Sequence, residues 1–265
     1  MLFKDRLNQL IYLILFLIQS KGKIKTSDNF VQKIADNLSN KISKLNFEQI
    51  EDRRKYLIDS KESIDVLDLG AHSTSSVNTK KMKVSFIGGV QAKPKYQSTV
   101  LHNIVEQYEA PKFIELGTSS GLTSAYVSKG IGGGSIYTIE GCPNILKLAK
   151  ETFEKTNANS IELIHGDFDT QLPKLLKEIK SFDVLYIDGN HSYEATLRYF
   201  NLVKEYIKED TIIVFDDIYW SEGMTKAWLE IKNDSIVSHT IDLFYFGLTF
   251  FRKEKDISDY KMRVY

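Results

Sequence analysis

Acidic residues stand at or near the ends of five successive apolar runs in the second half of the chain, and such a series is able to bind a polar ligand. In an open α/β sheet, ligands bind outside the carboxyl ends of the parallel strands, so acids at these ends share one edge. A single acid at a strand end often caps the next helix, but five in register indicate a site. The acids are Glu115, Glu140, Asp167, Asp188 and the pair Asp216 and Asp217.

The first three of these positions, together with a glycine turn, have the chemistry of an adenosine-binding site. Gly117 and Gly121 bound the turn, and their lack of a Cβ lets the backbone approach a ligand closely. Glu140 follows about two dozen residues later, where a carboxylate accepts both hydroxyl groups of a ribose. Asp167 is expected to accept from the exocyclic amine of adenine, with Phe168 or Ile139 in contact with the ring.

The spacing of the turn distinguishes between classes of ligand. A dinucleotide-binding turn has the pattern Gly-x-Gly-x-x-Gly, which leaves a glycine where the pyrophosphate touches the backbone. Here Ser119 takes the middle position, and the final glycine comes four residues after the first. The pattern Glu-x-Gly-x-x-x-Gly, with Glu115 inside it, suits a cationic ligand without phosphate. We therefore place Ser119 among the cofactor-binding residues, and a nicotinamide-dependent oxidoreductase is disfavoured.

The last two strand ends predict a separate cluster of carboxylates. Asp188, Asp216 and Asp217 are expected to converge from neighbouring strands, where three negative charges repel unless a cation or shared protons compensate. Oxygen ligands suit Mg²⁺, Ca²⁺ or Mn²⁺. In the alternative interpretation, Asp217 caps the following helix and the other two aspartates only orient water and substrate.

His191 is the candidate general base, and we group it with Asp188 as the catalytic pair. It stands at the predicted start of a helix beside carboxylates, where an imidazole is able to accept a proton near neutral pH. The alternative is a histidine that only supports or orients the substrate. The other histidines have no comparable neighbours, and we assign them no chemistry; these are His72, His102, His165 and His239.

The elements that must position these residues alternate regularly after about residue 96. Strand-like runs at 112–117, 135–140, 160–165, 182–187 and 211–216 are separated by helix-like runs at 97–109, 121–130, 143–156, 170–180, 192–207 and 222–232. Such alternation predicts an α/β fold with a parallel sheet covered on both faces. Two further strands, 235–241 and 244–251, are separated by too little chain for a helix and must pair antiparallel.

The first 95 residues are predicted to form a helical extension and cap, before a main domain at 96–265. A stripe of apolar residues from Val31 to Leu45 predicts a helix, with Asp28 as its N-cap. Val66–Gly70 resembles another acid-ended strand but lacks the second glycine, and we do not expect a nucleotide site there. We expect 61–95 to be a connecting, partly mobile segment that covers the site.

The bulk composition disfavours several functions and partners. The chain has 265 residues, with 35 basic and 35 acidic side chains, so no basic surplus predicts a nucleic-acid partner. A single cysteine, Cys142, excludes an internal disulfide and fits a reducing cytoplasm. The apolar run Leu10–Ile18 is too short to span a bilayer, and no cleavage site follows it. We expect a packed or self-associating helix there, which offers a surface for a homodimer; contact with a membrane surface and a signal or anchor are the alternatives.

Residues 96–251 resemble a class I S-adenosylmethionine-dependent methyltransferase. The stretches that start at Ile114, Tyr186 and Ile213 resemble the small-molecule O-methyltransferase branch, including catechol-type enzymes; they read Ile-Glu-Leu-Gly-Thr-Ser-Ser-Gly, Tyr-Ile-Asp-Gly-Asn-His-Ser-Tyr-Glu and Ile-Val-Phe-Asp-Asp-Ile. The resemblance implies a Rossmann-like sheet with S-adenosylmethionine held by Glu115, Gly117, Gly121, Glu140 and Asp167. In catechol-type enzymes two aspartates and an asparagine hold Mg²⁺. This sequence has Asp217 in place of that asparagine and His191 in place of a lysine.

The sequence as a whole predicts methyl transfer from S-adenosylmethionine to a small-molecule hydroxyl, with assistance from Mg²⁺ or another divalent metal. Two other functions stay open. One is metal-free methylation of a nitrogen or a carboxylate, for which a chelator would not change the activity. The other is a binding module that retains the cofactor fold without catalysis.

Overall fold

The computed structural model describes residues 3–38, 47–68, 78–253 and 258–264, which fall into two compact units. Residues 1–39 and 179–265 belong to the first unit, and residues 40–178 form the second. Parts of three sequence-based expectations lie outside the described residues, namely Ile42 and Leu45 of the helical stripe, Leu69 and Gly70 of the acid-ended strand, and His72.

The second unit contains a parallel sheet built from the first half of the predicted alternation. Its strands are β3 (Lys112–Leu116), β4 (Ser135–Glu140) and β5 (Ile161–His165), in the order β3-β4-β5. Helices α5 (Lys95–Val105), α6 (Leu122–Ser128), α7 (Pro143–Lys155) and α8 (Phe168–Ile179) alternate with them. The proline at the first position of α7 has no amide hydrogen to lose there, as the sequence predicts.

The connecting segment predicted for 61–95 is wrong for most of its described residues. Strands β1 (Ser63–Asp68) and β2 (Asn78–Lys83) pair antiparallel, and α4 (Val84–Phe86) then continues into a π-helical turn, Ile87–Gln91. The hairpin forms because Ile64, Val66 and Met82 pack against an apolar cluster that includes residues of α7. The alternation of apolar and polar residues in these two strands is short, and the lysines beside Met82 made it difficult to recognise in the sequence.

A long helix, α3 (Glu48–Asp59), precedes the hairpin in the second unit. Arg53 on this helix is buried, and its guanidinium donates to Thr152 Oγ1 at 3.2 Å and to Glu151 Oε2 at 3.2 Å on α7. Tyr126 donates from α6 to Glu51 Oε1 at 2.5 Å, and burial raises the pKa of this phenol. These contacts fasten α3 to the helices that flank the parallel strands.

The first unit contains the remaining strands, in the order β10-β8-β9-β7-β6. They are β6 (Val184–Ile187), β7 (Ile212–Asp216), β8 (His239–Asp242), β9 (Phe246–Phe250) and β10 (Ser258–Lys261). β6 and β7 are parallel, whereas β8 and β9 form the antiparallel hairpin that the sequence predicts. Every residue of β6 and β7 is buried, which explains their uninterrupted apolar runs.

Helices α9 (Tyr193–Val203) and α10 (Glu222–Lys232) complete the second half of the alternation. Each begins after a serine whose Oγ accepts from a backbone N–H of the first turn, namely Ser192 from Ala195 and Ser221 from Met224. Trp228 of α10 packs closely over Gly247 of β9, where an added Cβ would lie 2.7 Å from the indole ring. The glycine therefore lets the helix lie close to the sheet.

The N-terminal helices belong to the same unit as the C-terminal strands. α1 (Phe3–Gln19) stacks Tyr12 on Tyr219 with ring centroids 5.0 Å apart, and α2 (Asn29–Leu38) buries its apolar stripe. Lys21 continues this attachment, since its N–H donates to the carbonyl of Lys261 at 3.0 Å and its carbonyl accepts from Arg263. Compact units need not coincide with domains, so the boundary at residue 95 and the role of 1–95 as a cap stay predictions.

The predicted fold class is confirmed. The chain has an α/β architecture with mostly parallel strands and an antiparallel C-terminal hairpin, and each predicted strand of the alternation is present within two residues of its expected ends. Asp28 is the N-cap of α2, as expected, because its Oδ1 accepts from the N–H groups of Phe30 and Val31, both at 2.9 Å. The strand β10 was not predicted.

We expect Asp28→Ala to destabilise the first unit by about 2 kcal/mol, through loss of the cap and of the ion pair with Arg252 at 2.9 Å. Burial alone would raise the pKa of Asp28, but hydrogen bonds from Val31 and Arg252 outweigh it and lower the pKa. The stabilisation is therefore present above the unfolded pKa and is lost as pH falls through the lowered folded pKa. Urea unfolding at neutral and acidic pH measures both effects.

The matched control is Asp36→Ala, on the exposed side of the same helix, with an expected change within about 0.5 kcal/mol. Equal losses for Asp28→Ala and Asp36→Ala at neutral pH would contradict the assignment of Asp28 as a cap and ion-pair partner.

Candidate functional site

The turn after β3 has the conformation that its glycines predict. Gly117 and Gly121 have φ of 103° and 77°, and Ser119 between them also has a positive φ, 49°. A non-glycine residue in this region is uncommon and is concentrated at functional sites. Gly121 is the residue before α6, and an added Cβ there would lie 2.7 Å from Phe153 Cε1 and 3.1 Å from the Cα of Ala149.

Glu115 is fully buried within the second unit, under this turn. Its Oε2 accepts hydrogen bonds from the hydroxyls of Ser124 on α6 and Thr138 on β4, the latter at 2.6 Å. The hydroxyl of Thr138 also lies 2.6 Å from that of Thr118 in the turn. Glu115 thus connects two strands, a helix and the turn. Its predicted contact with the cofactor stays a prediction.

Glu140 at the end of β4 connects the glycine turn to the start of α7. Its Oε2 accepts from the N–H of Ser119 at 3.2 Å, and its Oε1 accepts from the N–H of Cys142 at 2.8 Å. Burial raises the pKa of this carboxyl, and the hydrogen bonds from Cys142 and Ser119 oppose that rise only in part. A carboxylate held beside the turn in this way retains lone pairs for a ribose.

Asp167 and Phe168 stand where β5 leads into α8. Asp167 is exposed, and its Oδ1 accepts from the N–H of Thr170 at 2.8 Å, so this acid caps α8. The cap uses one carboxylate oxygen, and contact of Asp167 with adenine remains a prediction. Phe168 is half-buried at the first position of the helix.

In the first unit, the structure brings Asp188, His191 and Asp216 together. Each offers one ligand atom, and these atoms all lie within 4.8 Å of one another. His191 Nε2 is 3.5 Å from Asp188 Oδ1. Asp216 is buried at the end of β7, whereas the other two are half-buried. Two carboxylates and one imidazole form a donor set that divalent metals accept.

Asp217 is not a member of this cluster, although the sequence places it among the carboxylates that converge there. Its backbone turns into the left-handed region with φ of 52°, and its N–H donates to the carbonyl of Tyr245 at 2.8 Å. His191 is the third member of the cluster, so the candidate general base lies among the candidate metal ligands.

Two neighbours support the cluster that the sequence analysis did not single out. Tyr186 donates from its buried hydroxyl to Asp188 Oδ2 at 3.0 Å. Asn190 adopts a positive φ of 51°, and its carbonyl accepts from the N–H of Ser192, the N-cap of α9. The period of two in a strand, which places Tyr186 and Asp188 on one face, is the signal that could have identified the tyrosine.

The loop after β7 also contains two aromatic residues with different environments. Tyr219 is buried, stacks on Phe244 with centroids 5.3 Å apart, and donates to Asp242 Oδ2 at 2.5 Å. Burial raises the pKa of Tyr219 and, separately, of Asp242. Trp220 is 44% exposed. The tyrosine is therefore part of the core of the first unit, and the tryptophan is the residue free to contact a ligand.

Comparison with known proteins agrees with the fold. Residues 114–218 match the family model described as a methyltransferase domain. Over 108 residues the chain is 28% identical to a protein of Sulfolobus acidocaldarius named as a probable cobalt-precorrin-6B C(15)-methyltransferase (decarboxylating). That match covers 40% of this chain and 53% of the relative, so the chain spans about half the length of that protein.

Two solved structures have a similar fold at low sequence identity. The Podospora anserina methyltransferase PaMTH1, bound to S-adenosylhomocysteine, has a TM-score of 0.62 at 12% identity, covering 88% of this chain and 100% of its own. An O-methyltransferase from Bacillus cereus, also with S-adenosylhomocysteine, has a TM-score of 0.55 at 16% identity, covering 79% of this chain and 93% of its own.

We expect Gly121→Ala to destabilise the second unit by roughly 2–4 kcal/mol, because it combines backbone strain with overlap against Phe153 and Ala149. Gly133→Ala is the matched control, since Gly133 also has a positive φ, 90°, but an added Cβ there meets nothing within 4 Å. The control should lose only about 1 kcal/mol. Equal losses in urea unfolding would show that the close packing at Gly121 has no energetic importance.

Proposed function

We propose that this chain, which carries a class I S-adenosylmethionine-dependent methyltransferase domain, transfers a methyl group from S-adenosylmethionine to a hydroxyl oxygen of a small molecule. The observation that carries the proposal is the turn at Gly117–Gly121 with Glu140 hydrogen-bonded to Ser119. The balanced charge of the chain makes nucleic acid an unfavourable acceptor. The single cysteine supports a reducing, cytoplasmic setting.

The residues of the second unit fit S-adenosylmethionine better than a dinucleotide. The turn has a side chain at Ser119, where a pyrophosphate would need a glycine. Glu140 holds its carboxylate against the turn, ready to accept from ribose hydroxyls, and Asp167 has an oxygen left for the adenine amine. S-adenosylmethionine supplies a methyl carbon activated by its sulfonium, which the acceptor oxygen attacks in line as the C–S bond breaks.

The first unit supplies the groups that prepare the acceptor. Asp188, His191 and Asp216 would hold a divalent cation; the two carboxylates suit Mg²⁺ or Mn²⁺, and the imidazole also suits ions such as Zn²⁺. Such an ion supplies positive charge that lowers the pKa of an acceptor hydroxyl. Without it, His191 accepts the hydroxyl proton while Asp188, 3.5 Å from Nε2, stabilises the imidazolium. Much of the rate would then come from positioning.

A second candidate function is metal-free methylation of a nitrogen or a carboxylate. The observation that favours it is the position of Asp217, which leaves the cluster with one carboxylate fewer than the sequence predicts. A binding module without catalysis is less well supported, because it has no need of the cluster.

We expect isothermal titration to show binding of S-adenosylmethionine and none of NAD⁺. Glu140→Ala should weaken this binding by about tenfold to a hundredfold, through loss of an ionised hydrogen-bond acceptor. Glu162→Ala, an exposed acid on β5, is the control and should bind like the wild type. Burial raises the pKa of Glu140, so this carboxylate is protonated at a higher pH than an ordinary glutamate. As the pH is lowered, affinity for S-adenosylmethionine should therefore fall early, and Glu140→Gln should abolish that pH dependence.

Binding of NAD⁺ in preference to S-adenosylmethionine would contradict the assignment of the cofactor. Binding of S-adenosylmethionine that is unchanged in Glu140→Ala would show that the turn and Glu140 do not form its site.

We expect titration with Mn²⁺ and Mg²⁺ to detect a site that Asp216→Asn and His191→Ala each weaken at least about tenfold, since the first removes the negative charge of one ligand and the second removes another ligand. Asp217→Asn is the matched control, adjacent to Asp216 but outside the cluster, and should change the affinity less than about threefold. With an acceptor identified by release of S-adenosylhomocysteine, chelation should lower the rate. Full activity after chelation would favour the metal-free alternative.

A further inference from the structure

Helix α1 exposes most of its aliphatic side chains, whereas several of its polar side chains are half-buried. The aliphatic residues of the outer face are between 43% and 75% exposed. With 100° per residue they span an arc of roughly 160°, which is the width of a hydrophobic face that normally packs on a core. We call this surface the outer face of α1; it consists of Leu7, Leu10, Ile11, Ile14, Leu15, Leu17 and Ile18.

The opposite side of α1 attaches the helix to the first unit. Tyr12 stacks on Tyr219, and Phe16 packs on Phe244 with centroids 5.6 Å apart. The half-buried residues of the first two turns on this side are polar, namely Asp5, Asn8 and Gln9. The helix therefore attaches through two aromatic rings and leaves seven of its eight aliphatic residues exposed, with Leu13 half-buried. Such a large exposed aliphatic surface is unusual.

Positive charges border the outer face at both ends of the helix. Lys4 and Arg6 are exposed at the margins of the aliphatic arc, and Lys21, Lys23 and Lys25 are exposed just beyond the last turn. Asp5 is the one acid in the first 27 residues of the sequence. Lys4 forms an ion pair with Glu222 at 2.7 Å, but both side chains are about 70% exposed, so this pair neutralises little.

This combination of an aliphatic arc and flanking cations is the composition of a helix that lies in a lipid interface. Self-association of two outer faces is the competing arrangement. It would bring the cations of both copies together without any acid in the arc to balance them, and such juxtaposed like charges oppose association. An anionic bilayer instead offers acyl chains to the aliphatic residues and negative head groups to the lysines. Among the described residues, no helix has the length and apolarity required to cross a membrane.

We propose that α1 binds in the plane of an anionic lipid bilayer, with its outer face in the acyl boundary and its flanking lysines on the head groups. This proposal does not depend on methyl transfer. Its test needs neither the cofactor nor an acceptor, so its failure is distinguishable from a failure of the proposed function.

Flotation with vesicles tests the proposal on the full chain. Vesicles of phosphatidylcholine and phosphatidylglycerol in equal parts should carry the protein to the top of the gradient, and phosphatidylcholine alone should carry much less. Replacing Ile11, Ile14 and Ile18 together by Asp should lower the partition coefficient at least about a hundredfold. Replacing Lys21, Lys23 and Lys25 together by Gln should lower it about tenfold, and high salt should have the same effect.

Leu229→Asp is the matched control, because Leu229 is 49% exposed in the same unit but lies on α10. It should bind vesicles like the wild type, and urea unfolding should show that the triple Asp variant remains folded. Sedimentation without lipid tests the competing arrangement, in which a second copy of the chain covers the outer face of α1. A dimer that the triple Asp variant dissociates, together with absence of vesicle binding by the wild type, would overturn the proposal in favour of a second copy. Equal vesicle binding by the wild type and the triple Asp variant would also overturn it.

Discussion

The candidate cofactor site depends on one buried carboxyl group, that of Glu115. A carboxyl with no exposed surface is costly to bury unless its oxygens are hydrogen-bonded. Here the hydroxyls of Ser124 and Thr138 donate to it, and Thr138 lies beside the hydroxyl of Thr118. Those three residues come from α6, from β4 and from the turn, so one acceptor connects these three elements of the second unit. Glu140 then adds a second connection, from the turn to α7.

The cluster in the first unit is organised by backbone turns rather than by a buried network. Asn190 and Asp217 both adopt left-handed conformations, Asp217 directly after Asp216 and Asn190 two residues after Asp188. His191 follows Asn190 and belongs to the cluster, whereas Asp217 does not. A strand end thus decides which acid is present, and the backbone turn that follows it positions the next side chains. Strain of this kind is concentrated at sites where a particular side-chain arrangement has been selected.

The same distinction explains how much could be predicted from the sequence. Strand runs such as 184–187 and 212–216 are buried on both faces, and their apolar composition is a local signal that identifies them directly. The antiparallel pairing of the two C-terminal strands follows from the short segment between them, which is too short to form a helix. The hairpin of β1 and β2 was missed because Ile64, Val66 and Met82 are stabilised by contacts with α7 that are distant in sequence. The left-handed turn at Asp217 was not predicted, because the apolar pattern of a strand carries no signal for the φ of the residue that follows it. The family resemblance was recognisable because its motifs lie at strand ends, where an apolar run that marks the strand is followed at once by the acids and glycines of the motif.

The composition of the first unit has a consequence for biosynthesis. Helix α1 is synthesised roughly 200 residues or more ahead of the residues that hold it, Tyr219, Phe244 and Lys261. At typical rates of roughly 5–20 residues per second, α1 waits on the order of ten seconds or longer for these partners. During that interval both sides of an aliphatic helix are uncovered, and the intervening residues 40–178 form a unit of their own. The nascent chain therefore passes through a state in which α1 is a target for chaperones, and the first unit is completed only after the second unit has been synthesised.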